Sequence, residues 1–275
     1  MPELPEVETT RRGLHSYLNG KTIENVEVRR RDLRWEVPGK FEEVLEGQKL
    51  ESFRRVGKYL VLDLPNKQSI IGHLGKSGTF RVEPHMPDEL RKHDHVILHM
   101  DSAEVAIFND PRRFGFLLLC QTAALLEHPR LNRMGSDPFD EAKFTVDYLQ
   151  TKLAKRKGHI KPVLLDQALI AGIGNIYASE ALFMSFIHPK RAANSLTRKE
   201  ITILIQSIKE VLEAAIASGG STLRDFLGSD GEAGYFQHAF KVYGHAKEPC
   251  SVCSSPLEVE VMAGRSTFFC ENCQK

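Results

Sequence analysis

The sequence predicts an α+β protein, with strands and helices falling in separate stretches of the chain. From about residue 22 to 120, short apolar runs follow one another without helices between them, a pattern that favours a sandwich or barrel. After Leu131 the apolar positions recur at helical spacing instead. The last 26 residues hold four of the five cysteines as Cys250-x2-Cys253-x16-Cys270-x2-Cys273, which is the spacing of a four-cysteine zinc site.

Taken in order, residues 2–18 read as a helix: Val7, Leu14 and Leu18 share a face, and Gly20 follows as a stop. Strand-like runs then come at Thr22–Val28, Lys49–Phe53, Tyr59–Leu64, Ser69–His73, His95–His99 and Val105–Phe108, with Gly, Pro, Asn and Asp between them. Cys120 closes the apolar run from Phe116 and reads as an inert buried thiol. Asn132–Glu141 is polar and turn-rich, as a hinge would be, and residues 145–156 read as a helix. The Gly-rich turn Ala171–Gly174 leads to Asn175, read as an N-cap, and an apolar helix through Phe183. Thr197-Arg198-Lys199-Glu200 is a capping box. Behind it Ile201, Leu204, Ile205, Ile208, Leu212 and Ala215 line one helical face up to Gly219-Gly220.

A chain of 275 residues with 41% apolar content can form about two domains with real cores. No apolar stretch approaches the roughly 20 residues that span a bilayer, and the charged start lacks a secretory core. A cytosolic location is therefore expected, and it favours zinc over two disulfides at the four cysteines. Net charge is only +1, but the cations cluster: Arg29-Arg30-Arg31, Arg34, Arg54-Arg55, Arg112-Arg113, and Lys155-Arg156-Lys157 with Lys161. Each cluster is either a solvated face or a patch that attracts phosphate.

Three segments carry possible chemistry. Removal of Met1 would leave Pro2 with a free secondary amine, a nucleophile that can form a Schiff base. The same residue also suits the first turn of a surface helix. Glu3 and Glu6, three apart, would flank it. Gly172-Ile173-Gly174-Asn175 before a helix has the form of a small phosphate cradle, or of an ordinary cap. Asn109-Asp110-Pro111-Arg112-Arg113-Phe114-Gly115 joins a turn to two guanidiniums and a ring that could wedge between bases or enter the core.

Read together, these blocks resemble the bacterial formamidopyrimidine-DNA glycosylases. The resemblance rests on Pro2-Glu3-Leu4-Pro5-Glu6-Val7-Glu8, Lys58-Tyr59-Leu60, His73-Leu74-Gly75, Lys92-His93-Asp94-His95 and Asp110-Pro111-Arg112-Arg113-Phe114-Gly115. It continues through Ile160-Lys161-Pro162, Gly174-Asn175-Ile176-Tyr177-Ala178-Ser179-Glu180 and Ser229-Asp230-Gly231. It closes with Gly234-Tyr235-Phe236-Gln237, Val242-Tyr243-Gly244, the four cysteines and Gly264-Arg265-Ser266-Thr267-Phe268.

The resemblance implies an N-terminal β-sandwich flanked by helices (1–131), a linker (132–144), a helix–two-turn–helix domain (145–238) and a zinc β-hairpin (239–275). It implies a repair enzyme that removes oxidised purines from double-stranded DNA and nicks the abasic site, holding one structural zinc ion on Cys250, Cys253, Cys270 and Cys273. The sequence gives no strong reason to expect an oligomer, so a monomer is expected. By the same resemblance Pro2 attacks the sugar, Glu3 is the general acid and Glu6 supports the site. Lys58 and Arg265 serve the two eliminations, Arg265 as a phosphate clamp because arginine stays protonated. Lys161, Asn175, His73, His93, Arg156 and Tyr235 fall at DNA-contacting positions. Ser218–Tyr235 resembles the loop over the flipped base, and Arg112 and Phe114 resemble fillers of the vacated space.

At the third filler position this chain has Lys76, where the family usually has Met. Two alternatives stand beside the purine enzyme. One is the sister glycosylase for oxidised pyrimidines, which typically has Gly where this chain has Leu4. The other is a non-catalytic, zinc-dependent DNA-binding protein.

Overall fold

The computed structural model describes residues 2–220 and 236–275. It divides into two compact units, Met1–Asn132 with Ile216–Gln237, and Arg133–Ala215 with His238–Lys275.

The first unit opens with α1 (Leu4–Leu18), followed by β1 (Ile23–Val28) and a short α2 (Phe41–Leu45). Strands β2 (Ser52–Val56), β3 (Tyr59–Asp63), β4 (Gln68–His73), β5 (Thr79–Glu83), β6 (Asp94–Met100), β7 (Val105–Asn109) and β8 (Phe116–Gln121) complete it. They form two four-stranded antiparallel sheets, ordered β1-β6-β7-β5 and β2-β3-β4-β8. Leu60, Leu62, Ile70 and Leu117 from one sheet meet Val26, Phe80, Leu98 and Phe108 from the other, with Val7, Leu14 and Leu18 of α1 joining them. The expected sandwich is therefore the architecture, and that apolar cluster is its core.

Val61, Ile71 and Phe116 point the opposite way into a second apolar cluster with Leu125 and Leu131. Covered on both faces, β3 and β4 read as continuous apolar runs rather than alternating ones. The second predicted strand lies later than its sequence suggested. Lys49 forms only an isolated bridge to Thr22, because pairing of β2 with β3 runs from Ser52↔Asp63 to Val56↔Tyr59 and closes on a tight turn at Gly57.

The second unit contains α3 (Val146–Ala154), α4 (Ile160–Leu164), α5 (Asn175–Met184) and most of α6 (Arg198–Ala217). Thr145 caps α3 by accepting the Tyr148 N–H. At α6 the capping box forms as expected, with Glu200 accepting from the Thr197 N–H at 2.7 Å and Thr197 Oγ1 accepting from the Glu200 N–H at 3.3 Å. Strands β9 (Glu258–Met262) and β10 (Arg265–Phe269) make the C-terminal hairpin. Phe183 of α5 packs with Val242, Cys250, Leu257 and Cys270, so the cysteine module and α5 share one small core. Among the described residues no helix is long and apolar enough to cross a membrane.

Candidate functional site

Pro2 is buried immediately ahead of α1. Glu3 is the helix N-cap and Glu6 its third residue, and the two close a reciprocal capping box in which Glu6 Oε2 accepts the Glu3 N–H at 2.8 Å. Both residues are 2% exposed. Local sequence thus places two acids at the electropositive helix end, directly beside Pro2. Gly220, with φ +82°, brings its backbone against Glu6: a Cβ there would lie 3.4 Å from Glu6 Cγ.

The same helix is pinned to β2. Arg55 pairs with Glu8 at 3.4 Å, and Arg11 donates to the Phe53 carbonyl at 3.2 Å. Burial pushes the Glu8 carboxyl up, but hydrogen bonds from Arg11 and Arg12 and the charges of Arg11 and Arg55 outweigh it and hold the group below the usual carboxylate range.

Lys58 follows Gly57 (φ +58°) in the turn after β2 and is buried. Across the ladder from Tyr59 lies His73, stacked on Phe116 at 5.3 Å and 12°. His73 Nδ1 accepts the Gly75 N–H at 2.9 Å, which leaves Nε2 as the protonated nitrogen of the neutral ring. Burial, with the charges of Lys58 and Arg130, lowers the His73 pKa to about 4. Lys76, Arg112 and Phe114 are exposed. The Lys76 ammonium lies 5.3 Å and the Arg112 guanidinium 5.1 Å from the centroid of the Phe114 ring. His93 is half-buried, edge-on to His95 at 6.0 Å.

In the second unit, Lys161 is 1% exposed, and its ammonium donates to Asn175 Oδ1 at 2.7 Å, the Ser266 carbonyl at 3.0 Å and Thr267 Oγ1 at 2.8 Å. Asn175 Nδ2 donates to the same Ser266 carbonyl at 2.9 Å. Lys161 therefore ties the start of α5 to the hairpin, and the Asn175 cap expected from sequence is corrected. Gly174 is the N-cap and Asn175 the first helical residue, because its side chain is drawn to the hairpin instead. Arg265 is exposed at the hairpin tip, after Ala263 and Gly264 with φ +49° and +72°, the backbone of a two-residue turn with both central residues left-handed. Arg156 is ion-paired to Asp166 at 2.7 Å. Tyr235, and residues 221–235 of the stretch expected to form a loop, lie outside the described residues.

The four cysteine sulfurs all lie within 4.8 Å of one another, with Cys250–Cys273 at 3.9 Å and Cys253–Cys270 at 3.5 Å. Tetrahedral zinc with bonds of about 2.3 Å needs sulfurs about 3.8 Å apart, so the cluster fits one structural zinc ion. Four thiolates leave no open position for a substrate.

The chain matches three family models in order. They are the formamidopyrimidine-DNA glycosylase N-terminal domain over residues 1–117, the H2TH domain of the same enzymes over 134–227, and the zinc finger found in FPG and IleRS over 247–275. It is 49% identical over 278 residues to the formamidopyrimidine-DNA glycosylase of Klebsiella pneumoniae and 44% identical over 284 residues to that of Ruegeria pomeroyi, with 100% of each chain covered. The chain belongs to the formamidopyrimidine-DNA glycosylase family. It is a DNA glycosylase with abasic-site lyase activity.

Among solved structures, it superposes on a Lactococcus lactis FPG variant in complex with Fapy-dG containing DNA with a TM-score of 0.91, at 34% identity and 100% coverage of both chains. The enzyme of Thermus thermophilus gives 0.87 at 39% identity, covering 99% of this chain and 98% of that one.

Glu180, quoted above only as the end of a motif, has a structural role that the sequence did not assign. Buried on α5, it accepts the N–H groups of Lys241, Val242 and Tyr243 at 2.9, 3.0 and 2.8 Å. An acid inside an otherwise apolar helix was the available signal, since such a group must find donors.

Proposed function

We propose that the enzyme excises oxidised purines, chiefly 8-oxoguanine and formamidopyrimidines, from double-stranded DNA, and that Pro2 is its nucleophile. The carrying observation is the buried pair Glu3 and Glu6 closed around the helix end at Pro2. With Met1 removed, the Pro2 nitrogen attacks C1′, the bond to the damaged base breaks with its electron pair leaving on the base, and the proton shed by the Pro2 nitrogen neutralises that base. Glu3 delivers a proton to the ring oxygen, the C1′–O4′ bond opens, and the nitrogen–C1′ link becomes an iminium. Loss of a C2′ proton then expels the 3′ phosphate in β-elimination, and a second elimination expels the 5′ phosphate. Lys58 serves the first elimination. Arg265 stabilises the departing phosphate electrostatically.

Asn175 at the start of α5 and the charge of Lys161 contribute to phosphate binding, and His73, His93 and Arg156 are further DNA contacts. Tyr235 also belongs to the DNA-contacting set. Phe114, Arg112 and Lys76 occupy the space vacated when the lesion leaves the stack. The enzyme acts as a cytoplasmic monomer on the nucleoid.

Borohydride trapping on an 8-oxoguanine duplex tests this. The expected adduct maps to residue 2, and Glu3→Gln slows excision while sparing DNA affinity. An adduct on Lys58, or on any other lysine, would refute the assignment. The Lactococcus lactis relative has been solved with oxidized pyrimidine containing DNA, so a thymine-glycol duplex is the comparison arm. Faster incision there would shift the substrate class to pyrimidines.

A further inference from the structure

The three exposed side chains Lys76, Arg112 and Phe114 stand on two turns, and the floor joining those turns is unusually well tied. Ser77 is 3% exposed and Asp110 fully buried. Across 33 residues of sequence, the Ser77 hydroxyl donates to Asp110 Oδ1 at 2.7 Å and accepts the Arg112 N–H at 3.2 Å. Asp110 Oδ2 accepts the Gly115 N–H at 2.7 Å, and His95 Nε2 bonds the Asp110 carbonyl at 2.9 Å. One hydroxyl and one carboxylate therefore hold both ends of the 110–115 turn.

Contact between the turns is also steric. Gly75 has φ +64°, and a Cβ on it would fall 2.3 Å from both the Phe114 carbonyl carbon and the Gly115 nitrogen. No side chain fits where these two backbones cross. Above this buried floor, the two cations lie over the Phe114 ring, an arrangement that favours one placement of the ring.

We propose that Ser77 is a positioning residue for lesion extrusion: its hydroxyl locks the two turns into one body, so that Lys76, Arg112 and Phe114 enter the base stack together. The inference rests on the repair reading above. Insertion into a stack is costly when the inserting groups must also be ordered, and a preformed wedge removes that cost from the extrusion step. Without the hydroxyl, the Arg112 N–H loses its partner and Asp110 keeps only one of its two ties to the turns. Phe114 is then free to pivot at the moment it must replace a base.

Two substrates separate this role from general support of the fold. On an 8-oxoguanine duplex, Ser77→Ala is expected to slow single-turnover excision by about 10- to 100-fold, the range for losing a hydrogen bond to a buried charged group. On a duplex carrying a preformed abasic site, where no base has to be extruded, strand cleavage should keep the wild-type rate. A 2-aminopurine beside the lesion should lose its fast fluorescence rise in the variant, and Ser77→Thr, which restores the hydroxyl, should recover it. Thermal midpoints of both variants check folding, and Ser77→Cys keeps the volume if the alanine variant is unstable. Equal slowing on both substrates, or unchanged excision, would overturn the positioning role. A wild-type enzyme inactive on both duplexes would instead overturn the repair reading itself.

Discussion

The N-terminal and C-terminal groups of site residues are assembled in opposite ways. Around Pro2 the acid pair is local: Glu3 and Glu6 are three residues apart in one capping box. In the second unit the geometry is remote. Lys161 reaches Ser266 and Thr267 across 105 and 106 residues, and Glu180 reaches the 241–243 backbone across 61 to 63. A local group forms wherever its helix or turn forms. A remote one exists only while the hairpin is held in place, so the second unit should be the more fragile and the more metal-dependent.

Zinc removal is the strongest challenge to that contrast. Structural zinc contributes on the order of 10–16 kcal/mol in small fingers. Cys270→Ser or chelation is thus expected to unfold the C-terminal hairpin and abolish tight DNA binding, while the sandwich stays folded. Hydrogen exchange resolved by segment would show it, and full DNA affinity in zinc-free protein would erase the contrast.

Next in size is Lys161→Met. It strips a shared donor from Asn175, Ser266 and Thr267, at an expected cost of about 2–4 kcal/mol in denaturant unfolding. Loss confined to the second unit supports the comparison, whereas an unchanged midpoint would show that the hairpin is placed by its apolar core alone.

A pH experiment probes the first unit. The folded state holds the His73 pKa at about 4 against an ordinary 6.5, so the unfolded chain binds the extra proton between these values. The stability contributed is complete above about pH 6.5 and drains as pH falls toward 4, by on the order of 3 kcal/mol. Urea midpoints at pH 4.5 and 7 should therefore differ less in His73→Gln than in wild type. An equal difference in both would mean that His73 does not carry this acid sensitivity.

The smallest expected effect is at Lys76. Its ammonium is exposed over the Phe114 ring, where it can reach a phosphate while the stem lies along the gap. Replacing it with Met should lower the salt-dependence slope of lesion-duplex binding by about 0.9, one phosphate contact. Phe114→Ala should be more damaging if the ring carries the stacking, as the proposed function has it. Identical slopes for wild type and Lys76→Met would place the ammonium in solvent.

Much of this protein was decided by its sequence alone. The sandwich, the capped helices α1, α3 and α6, and the zinc ligands follow from short-range pattern: apolar periodicity, cap residues and cysteine spacing act within a few residues, where the physics is the same in any fold. The acid pair beside Pro2 belongs here too, because a capping box needs only one helix end.

Tertiary structure alone decided where β2 begins, since pairing with β3 outweighs the propensity of the Lys49 stretch. It also turned Asn175 away from capping and aimed the Lys161 ammonium inward, because a buried ammonium must find acceptors wherever the fold supplies them. The joined floor of Ser77 and Asp110 was equally hidden, because the two residues lie 33 apart in sequence. A hydrogen bond between residues far apart leaves no mark in the spacing of either one, and only a folded chain brings donor to acceptor.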